Sequence, residues 1–467
     1  MQYKNFKKRI NESNKFLKLN KNNVNLVSLS FLHILRPQYD LIKNFNSFYL
    51  KYRISYHLKY SIIKFLKYLF SYFQDKKKLS KEIDLLILSN FTNLNHLNNK
   101  IDFYFGNLQY FLNKNKINCH TVYRNFTRLS TNELRKKNKI KNHHFLDDFD
   151  KINCEISYFF LFFFEYLKFK MFSFRKNKNF LKNKNFSFLN FLTGISSVRM
   201  ANLILKFIKE SNPKMILITL EGHAWEKVIT RKLREKYPKI IIAGYQFSVL
   251  SKNTNSLFLK LDKKYEQDFI FTKNKIHKNF FIHKGFEPSK IKILGDLKKE
   301  KIQISKIRKI NNIIICPEAL DYENEVMFSF AENCAKKIND YHFIFRPHPS
   351  YNKKFISRYK NLKISKTTLK NDLLKSKILI YRGSSVCYYA KDFKILPIYL
   401  KTKNEISIDP LYYFKRRECK ILSVSDLKKF IYKTPNLESK IKKLLKINMQ
   451  FSEKPNLSII KKILNDK

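Results

Sequence analysis

The sequence predicts an α/β protein in which two doubly wound parallel sheets face one cleft. Two observations support this fold class. Short apolar segments alternate with amphipathic segments, which is typical of parallel strands joined by covering helices. The alternation runs through one half of the chain and begins again in the other, and a length of 467 residues suits two domains.

The first predicted domain comprises residues 1–295 and includes an aromatic helix at residues 156–174. Its strand segments are short apolar runs, and its helix segments repeat apolar residues every three or four positions. Asn212-Pro213 ends one helix, because the residue before a proline disfavours helical geometry. We expect strands at residues 83–89, 118–123, 215–220, 239–243 and 268–272, helices at residues 100–116, 198–210 and 226–236, and a polar linker at residues 136–150.

The second predicted domain comprises residues 296–467 and repeats the same alternation. We expect strands at residues 312–316, 341–345, 362–365, 378–381 and 395–400. The expected helices lie at residues 325–337, 369–376 and 386–391, and a further helix begins near residue 352.

The formal charge of +57 admits two interpretations. A strongly basic chain is a candidate for binding nucleic acid or an anionic membrane. However, Gly (7), Pro (11) and Trp (1) are scarce beside abundant Lys, Asn, Ile and Phe, which indicates that A+T-rich codons inflate the lysine count. Recognition of bases favours Arg over Lys, and no nucleic-acid-binding motif occurs. We therefore expect no specific nucleic-acid partner.

The sequence favours a cytoplasmic location. The six cysteines form no CxxC pair, and no apolar signal-peptide core follows the basic N-terminus. The aromatic segment at residues 156–174 is interrupted by Glu165, Lys168 and Lys170, so its apolar run is too short for a membrane span. It is either a buried helix or an interfacial helix beside the basic run at residues 175–185, and the latter implies peripheral binding to the inner face of the plasma membrane.

A proline-stiffened basic loop follows the predicted strand at residues 341–345. In this loop, Arg346 and His348 alternate with two prolines, and such rigidity suits a preorganised contact with an anion. Ligands of open α/β sheets bind beyond the carboxyl ends of the strands, where this loop lies. The alternative interpretation is a turn that merely ends the strand. Pro317 and Glu318 follow the strand at residues 312–316 and belong to the same predicted donor-binding set.

A second candidate anion site is the tetrapeptide that follows the predicted strand at residues 378–381. It consists of Arg382, Gly383, Ser384 and Ser385. Glycine permits close approach of a ligand to the backbone, and either serine is a suitable cap for the helix that follows. Free N–H groups at a helix N-terminus bind anions. Capping without a ligand is the alternative interpretation.

The first predicted domain offers a catalytic base. Glu221 and His223 directly follow the strand at residues 215–220, and a carboxylate or imidazole there could deprotonate an acceptor hydroxyl. Glu226 lies at the start of the next helix, where the helix dipole already favours a negative charge. We therefore expect Glu221 to be the base, with His223 as the next candidate. A purely structural role for the segment remains the alternative.

One motif imitates a metal site. Asp148 and Asp150 stand in an acidic pattern, with His143 and His144 upstream. The motif lies in the predicted polar linker rather than at the end of a clear strand, so we expect no metal and no cofactor.

The combination of these motifs resembles a group of bacterial surface-carbohydrate and capsule glycosyltransferases with the two-domain, Rossmann-like GT-B fold. Arg346-Pro347-His348-Pro349 at one strand end and Ser384-Ser385 at another resemble the HP and SS motifs of sialyltransferases, Kdo transferases and CDP-glycerol-type transferases. The segment from Glu221 to Lys227 resembles surface carbohydrate biosynthesis proteins of the same group. The specific match covers residues 215–400, less than half of the chain.

This resemblance implies an inverting, metal-independent glycosyltransferase that uses a CMP-activated sugar to build capsule, O-antigen or lipooligosaccharide. His348, Ser384 and Ser385 would contact the donor phosphate, and Glu221 would be the base. The partners would be a nucleotide-sugar donor and a glycan or lipid-linked glycan acceptor. Two alternatives stay open, a CDP-glycerol-type polyol-phosphate transferase and a non-catalytic carbohydrate-assembly protein with the same fold.

Overall fold

The computed structural model describes most of the two predicted domains. The described residues are 2–27, 82–91, 101–125, 127, 129, 133, 134, 136, 142–149, 160, 161, 163–168, 171, 188–297, 311–318, 320–349, 351, 354–402, 406–412, 419–433, 439 and 453–466.

Seven parallel strands form the first sheet in the order β3-β2-β1-β4-β5-β6-β7. Their bounds are Leu85–Phe91 (β1), Cys119–Asn125 (β2), His143–Phe145 (β3), Met215–Thr219 (β4), Ile241–Gln246 (β5), Phe269–Thr272 (β6) and Ile291–Ile293 (β7). The accompanying helices are Gln2–Leu19 (α1), Val24–Val27 (α2), Leu108–Lys114 (α3), Phe188–Ser211 (α4), Ala224–Lys236 (α5) and Lys275–His283 (α6).

Helices cover both faces of this sheet, which explains why its central strands β1 and β4 begin with four consecutive apolar residues. In β1, Leu86 and Leu88 face one core together with α4 and α5. Leu85 and Ile87 face the opposite core, which includes Leu108 of α3. This alternation follows from the two-residue repeat of a strand, and it buries both sets of side chains.

Six parallel strands form the second sheet in the order β10-β9-β8-β11-β12-β13. Their bounds are Asn312–Cys316 (β8), His342–Phe345 (β9), Leu362–Ile364 (β10), Ile378–Tyr381 (β11), Leu396–Leu400 (β12) and Lys420–Ile421 (β13). Further helices are Asp321–Lys337 (α7), Leu369–Lys375 (α8), Val424–Lys433 (α9) and Ser458–Asn465 (α10). Two doubly wound parallel sheets confirm the predicted α/β fold class and its two Rossmann-like units.

The two sheets meet through the loops that leave their carboxyl edges. Asn253, after β5, donates a hydrogen bond to the carbonyl of Ser407, after β12, at 2.8 Å. The ammonium of Lys273, after β6, lies 5.6 Å from the ring centroid of Tyr388, which follows β11. Since these loops contact each other, the carboxyl edges of the two sheets both lie at the domain boundary and face each other across it.

The last helix returns to the first sheet. Ile460 of α10 is fully buried in the core that contains Leu85 and Leu217. Before α10, the N–H of Asp296 donates to the carbonyl of Glu453 at 2.9 Å, and the N–H of Asn456 donates to the carbonyl of Leu294. The division into residues 1–295 and 296–467 stays a prediction, and α10 belongs by its contacts to the first sheet.

Several expected elements differ in the structure. Residues 143–145 are not linker but the edge strand β3, paired with β2. No helix is present between residues 354 and 360, where a helix from about residue 352 was expected. The expected helix at residues 386–391 is a 3-10 turn, Ser385–Tyr389, and the expected helix at residues 100–116 is confined to α3. Within the described ranges, no helix is long and apolar enough to cross a bilayer.

Candidate functional site

Both sheets reverse their strand order at a point that the polar motifs flank. In the first sheet the reversal lies between β1 and β4, and in the second it lies between β8 and β11. A crevice opens at such a switch point because the connections leave in opposite directions, and ligands of this fold class bind there. Glu221 follows β4, Glu318 follows β8 and Gly383 follows β11. The predicted base and two predicted donor residues therefore occupy switch points.

Glu221 and His223 form a carboxylate–imidazole pair. The distance from Nε2 of His223 to Oε2 of Glu221 is 3.2 Å, and both side chains keep nearly a fifth of their surface exposed. A carboxylate that hydrogen-bonds an imidazole orients the ring and favours its protonated form. The pair can therefore accept a proton either at the carboxylate or at the imidazole.

Glu226 has a different role, as expected from its place at the start of α5. Its carboxylate is fully buried and accepts hydrogen bonds from the backbone N–H groups of Glu221, Gly222 and His223 at 2.8–3.1 Å. Burial, together with the charge of Glu221, raises the pKa of Glu226 to about 8, although the three backbone donors oppose this shift. Glu226 thus fixes the loop that presents Glu221.

Gly222 is required by this loop. Its φ is +84°, and a Cβ there would lie 2.6 Å from the backbone nitrogen of Leu257. Only glycine adopts this conformation without strain and fits the space. Trp225, next to this loop, is buried in the core of the first domain rather than placed beside a ligand.

The structure adds three polar residues that the sequence analysis missed. Tyr104 is close enough to Glu221 for the carboxylate charge to raise the pKa of its phenol, after the larger effect of burial, to about 12. The side chain of Asn90 hydrogen-bonds Tyr104, and the charge of Arg124 acts on the same phenol in the opposite direction. Asn90 and Arg124 lie near the carboxyl ends of β1 and β2. Tyr104, with Asn90 and Arg124 acting on it, therefore lies near Glu221 at the edge of the first sheet.

Asp102 holds Tyr104 in place. Its carboxylate accepts hydrogen bonds from the hydroxyl of Ser89 at 2.7 Å and from the backbone N–H groups of Tyr104 and Phe105 at 2.6 and 2.8 Å. The Tyr104 ring also packs edge-on against Phe247, with centroids 5.1 Å apart. An aspartate whose carboxylate accepts hydrogen bonds from the backbone N–H groups two and three residues later forms an Asx turn. Such a turn is a signal that can be read from a sequence.

In the second domain, the loops after β8 and β11 touch. A Cβ on Gly383 would lie 2.2 Å from Oε2 of Glu318, so the carboxylate of Glu318 rests directly on the Gly383 backbone. Pro317, between β8 and Glu318, is buried. Gly383 therefore permits a group to approach its backbone closely, and the neighbour seen here is a protein carboxylate.

Arg382 lies inside the protein rather than at the surface of a donor site. Its side chain is 1% exposed and forms an ion pair with the fully buried Glu323, with Nε and Oε2 at 2.6 Å. Nη1 of Arg382 also donates to the carbonyl of Leu400 and to the hydroxyl of Thr402. From this position the guanidinium orders the loop, and it presents no exposed charge to a ligand.

The two serines differ in exposure. Ser384 is buried, and its hydroxyl accepts a 3.5 Å hydrogen bond from the N–H of Val386, as expected of a cap. Ser385 is exposed. The element that follows is a single 3-10 turn, so it provides fewer free N–H groups than the expected helix.

Arg346 and His348 follow β9, next to β8. Nη1 of Arg346 binds Oδ2 of the buried Asp372 at 2.7 Å, together with Ser365 and the carbonyl of Thr367. These bonds hold one end of the guanidinium against neighbouring protein groups. The backbone N–H of His348 donates to Asn324 at 3.1 Å, and partial burial lowers the pKa of its imidazole. His348 is therefore a neutral hydrogen-bonding group near pH 7, at the same sheet edge as Ser385.

Asp148 lies in the 3-10 turn Leu146–Phe149 that directly follows β3, so this part of the motif comes after a strand rather than in the predicted linker. His143 and His144 are buried in β3, where His144 stacks on His120 with Nε2 and Nδ1 3.0 Å apart. Asp150 lies outside the described residues. Across the part of the chain that the structure describes, no three His, Cys, Asp or Glu side chains are grouped to hold a metal.

Comparisons with known proteins give structural similarity alone. No family model matches the chain, and no curated protein matches its sequence. A UDP-GlcNAc 2-epimerase from Neisseria meningitidis bound to UDP-GlcNAc is similar at 13% identity and a TM-score of 0.48, over 82% of this chain and 99% of that chain. The glycotransferase of kitacinnamycin is similar at 7% identity and a TM-score of 0.49, over 83% and 99%. The calicheamicin glycosyltransferase CalG4 is similar at 8% identity and a TM-score of 0.42, over 78% and 93%. These structures include both epimerases and glycosyltransferases.

Proposed function

We propose that this chain is an inverting, metal-independent glycosyltransferase that transfers a sugar from a CMP-activated donor to a glycan or lipid-linked glycan of a bacterial surface polysaccharide. The observation that supports this most is the Glu221–His223 pair at the switch point of one sheet, with its Nε2–Oε2 distance of 3.2 Å. The loops after β8 and β11 leave the carboxyl edge of the second sheet. This edge meets the carboxyl edge of the first sheet.

In the proposed reaction, the Glu221 carboxylate removes the proton from an acceptor hydroxyl. The acceptor oxygen then bonds to the anomeric carbon, while the bond between that carbon and the phosphate oxygen of CMP breaks. His223 holds the carboxylate in position. If His223 is itself the base, Glu221 orients its ring and stabilises the imidazolium.

The leaving group gains negative charge on its phosphate as the bond breaks. A donor group that is already in place stabilises this charge without reorganisation. The Nδ1 or Nε2 hydrogen of neutral His348 and the exposed hydroxyl of Ser385 are the groups proposed for this contact, with Glu318 and Gly383 in the loops after the neighbouring strands β8 and β11. Arg346 and Arg382 support the loops from behind.

Tyr104, Asn90 and Arg124 are proposed to bind the acceptor. A phenol and an amide hydrogen-bond hydroxyl groups, and the guanidinium suits an acidic sugar or a phosphate. Because Tyr104 lies near Glu221, an acceptor hydroxyl bound there would be within reach of the base. Tyr104→Phe is expected to raise the KM for the acceptor while leaving nucleotide binding unchanged.

A nucleotide panel tests the donor. Any ligand that binds only the folded state raises the melting temperature by mass action. CMP and CDP are expected to stabilise the protein more than UDP or GDP at equal concentration. Transfer of CDP-glycerol rather than a CMP-sugar would favour the polyol-phosphate alternative, and binding without turnover would favour an assembly protein. Interconversion of UDP-GlcNAc without any acceptor would contradict glycosyl transfer.

A further inference from the structure

A short aromatic helix is oriented with its apolar side chains outward. Its described residues are 160, 161, 163–168 and 171, all of them helical. Five of them form an exposed apolar stripe, in which each side chain is between 42 and 59% exposed: Phe160, Phe163, Phe164, Leu167 and Met171. The spacing of three, four, seven and eleven positions places them on one face of a helix, within an arc of roughly 100°.

The opposite face of this helix points into the protein. Leu161 packs against the core that contains α4 and α5. Glu165 is 7% exposed, and one of its oxygens accepts a hydrogen bond from the ammonium of Lys168 at 3.2 Å. A helix on a water-facing surface has the reverse arrangement, with charges outward and aromatic residues inward. The exposed stripe is therefore adapted to an apolar neighbour.

Charge identifies the kind of neighbour. The chain carries a formal charge of +57, and Lys168, which is exposed, lies beside the stripe. A second copy of the chain would carry the same charge and would be repelled. An anionic lipid surface would attract the chain, and its acyl region would accept the phenylalanines.

We propose that this stripe inserts into the interfacial layer of an anionic membrane and so docks the protein without spanning the bilayer. Phenylalanine, leucine and methionine enter the boundary between headgroups and acyl chains, while Lys168 contacts the headgroups. This proposal depends on the exposed stripe and not on the transfer reaction, although it agrees with a lipid-linked acceptor.

Vesicle sedimentation tests the proposal with a matched control. The double variant Phe163→Ser/Phe164→Ser removes half-exposed aromatic side chains from the stripe. Tyr110→Ser/Phe111→Ser removes two from α3, where they are 55 and 41% exposed in the same domain. On vesicles of phosphatidylcholine and phosphatidylglycerol in equal amounts, the stripe variant is expected to bind at least about tenfold more weakly than the wild type. The α3 variant is expected to bind as the wild type does.

Equal loss in both double variants would overturn the proposal, because binding would then reflect charge or general hydrophobicity. Strong binding of the wild type to pure phosphatidylcholine would overturn the requirement for anionic lipid. Dimerisation of the wild type that the stripe variant abolishes would also overturn it, in favour of a second copy as the occupant. Unchanged melting temperatures ensure that both variants are folded.

Insertion depth gives a second measurement. Trp225 is the chain's only tryptophan and is buried, so a tryptophan introduced at the surface adds a separate signal. Fluorescence of Phe164→Trp is expected to shift to shorter wavelength on anionic vesicles and to be quenched by lipids brominated in the upper acyl chain. Phe111→Trp is expected to show neither change. If Phe164→Trp binds vesicles without quenching, the stripe does not insert and the proposal fails.

Discussion

Glu221 and Glu226 are close in the chain, but their environments give them different chemistry. Glu226 is surrounded by backbone N–H donors and has no exposed surface, whereas Glu221 pairs with a histidine and remains in contact with solvent. A base that exchanges protons with a substrate must be reachable, and of the three titratable side chains in this loop, Glu221 and His223 are reachable whereas Glu226 is not.

Glu221→Gln is expected to lower turnover by roughly 10²–10⁴-fold, because the amide keeps the size of the side chain but cannot accept the proton. The melting-temperature increase caused by the donor nucleotide should persist, since the proposed donor contacts lie in the second domain. Glu226→Gln serves as the control and is expected to change turnover only slightly. If Glu226→Gln were the more damaging variant, the proposed base would be wrong.

The pKa of Glu226 predicts a pH dependence of stability. Its pKa rises from an ordinary 4.5 to about 8 in the folded protein. Between these values the folded state binds a proton that the unfolded state lacks, so the free energy of unfolding decreases as the pH rises. The contribution of this group is complete below pH 4.5 and is lost by about pH 8.

Thermal denaturation across this pH window measures the effect. The melting temperature of the wild type, minus that of Glu226→Gln, is expected to fall as the pH increases. A difference that stays constant would mean that Glu226 is ionised throughout, held so by its backbone donors.

At the scale of elements, the loops after β8 and β11 depend on each other. Glu318 lies against the backbone of Gly383, and Arg382 is tied to Glu323 at the start of α7. The two strands are neighbours at the switch point, so a change in one loop moves the other.

Gly383→Ala is expected to reduce stability by less than about 1 kcal/mol, because the Glu318 carboxylate that the new methyl group overlaps is the end of a flexible side chain and can move away. Urea denaturation measures this loss. In the double variant with Glu318→Ala the overlap disappears, so most of the loss should be recovered. An additive loss would indicate that Gly383 is needed for another reason.

The sequence predicted the elements whose signal is local and missed those that depend on distant partners. The strands at residues 312–316 and 378–381 are confirmed, because apolar runs bounded by polar residues specify buried strands. β3 was missed because its three residues contain two histidines, of which His144 stacks on His120 and His143 hydrogen-bonds Gln109. Arg382 was predicted to bind the donor because its ion-pair partner Glu323 lies 59 positions away in the chain, so no local sequence signal reveals the pair. Tyr104 was missed because its proximity to Glu221 arises only when β1 and β4 pair.

At the scale of the whole molecule, the chain crosses between the sheets twice. It leaves the first sheet after β7, forms the second sheet, and returns so that α10 completes the first core. Gly295 marks this return, since a Cβ there would lie 2.3 Å from the carbonyl oxygen of Lys454.

Ile460→Ala is expected to reduce the free energy of unfolding by about 2–5 kcal/mol, as for other fully buried aliphatic residues. The loss should appear in the unfolding transition that exposes the first sheet. Proteolysis of the first domain measures this transition. Lys461→Ala, on the exposed face of the same helix, is the matched control and should change stability by less than about 0.5 kcal/mol. Equal effects would mean that α10 does not stabilise the first core.

The return of α10 also has a consequence for biosynthesis. Domains usually fold in the order in which the ribosome makes them, the N-terminal domain first. Here the apolar face that receives Ile460 stays uncovered until translation has passed residue 460, when all of the second sheet has already been made. Nascent chains that stall between β13 and α10 would therefore expose the interior of the first domain, and chaperones are expected to bind these chains there rather than at the second sheet.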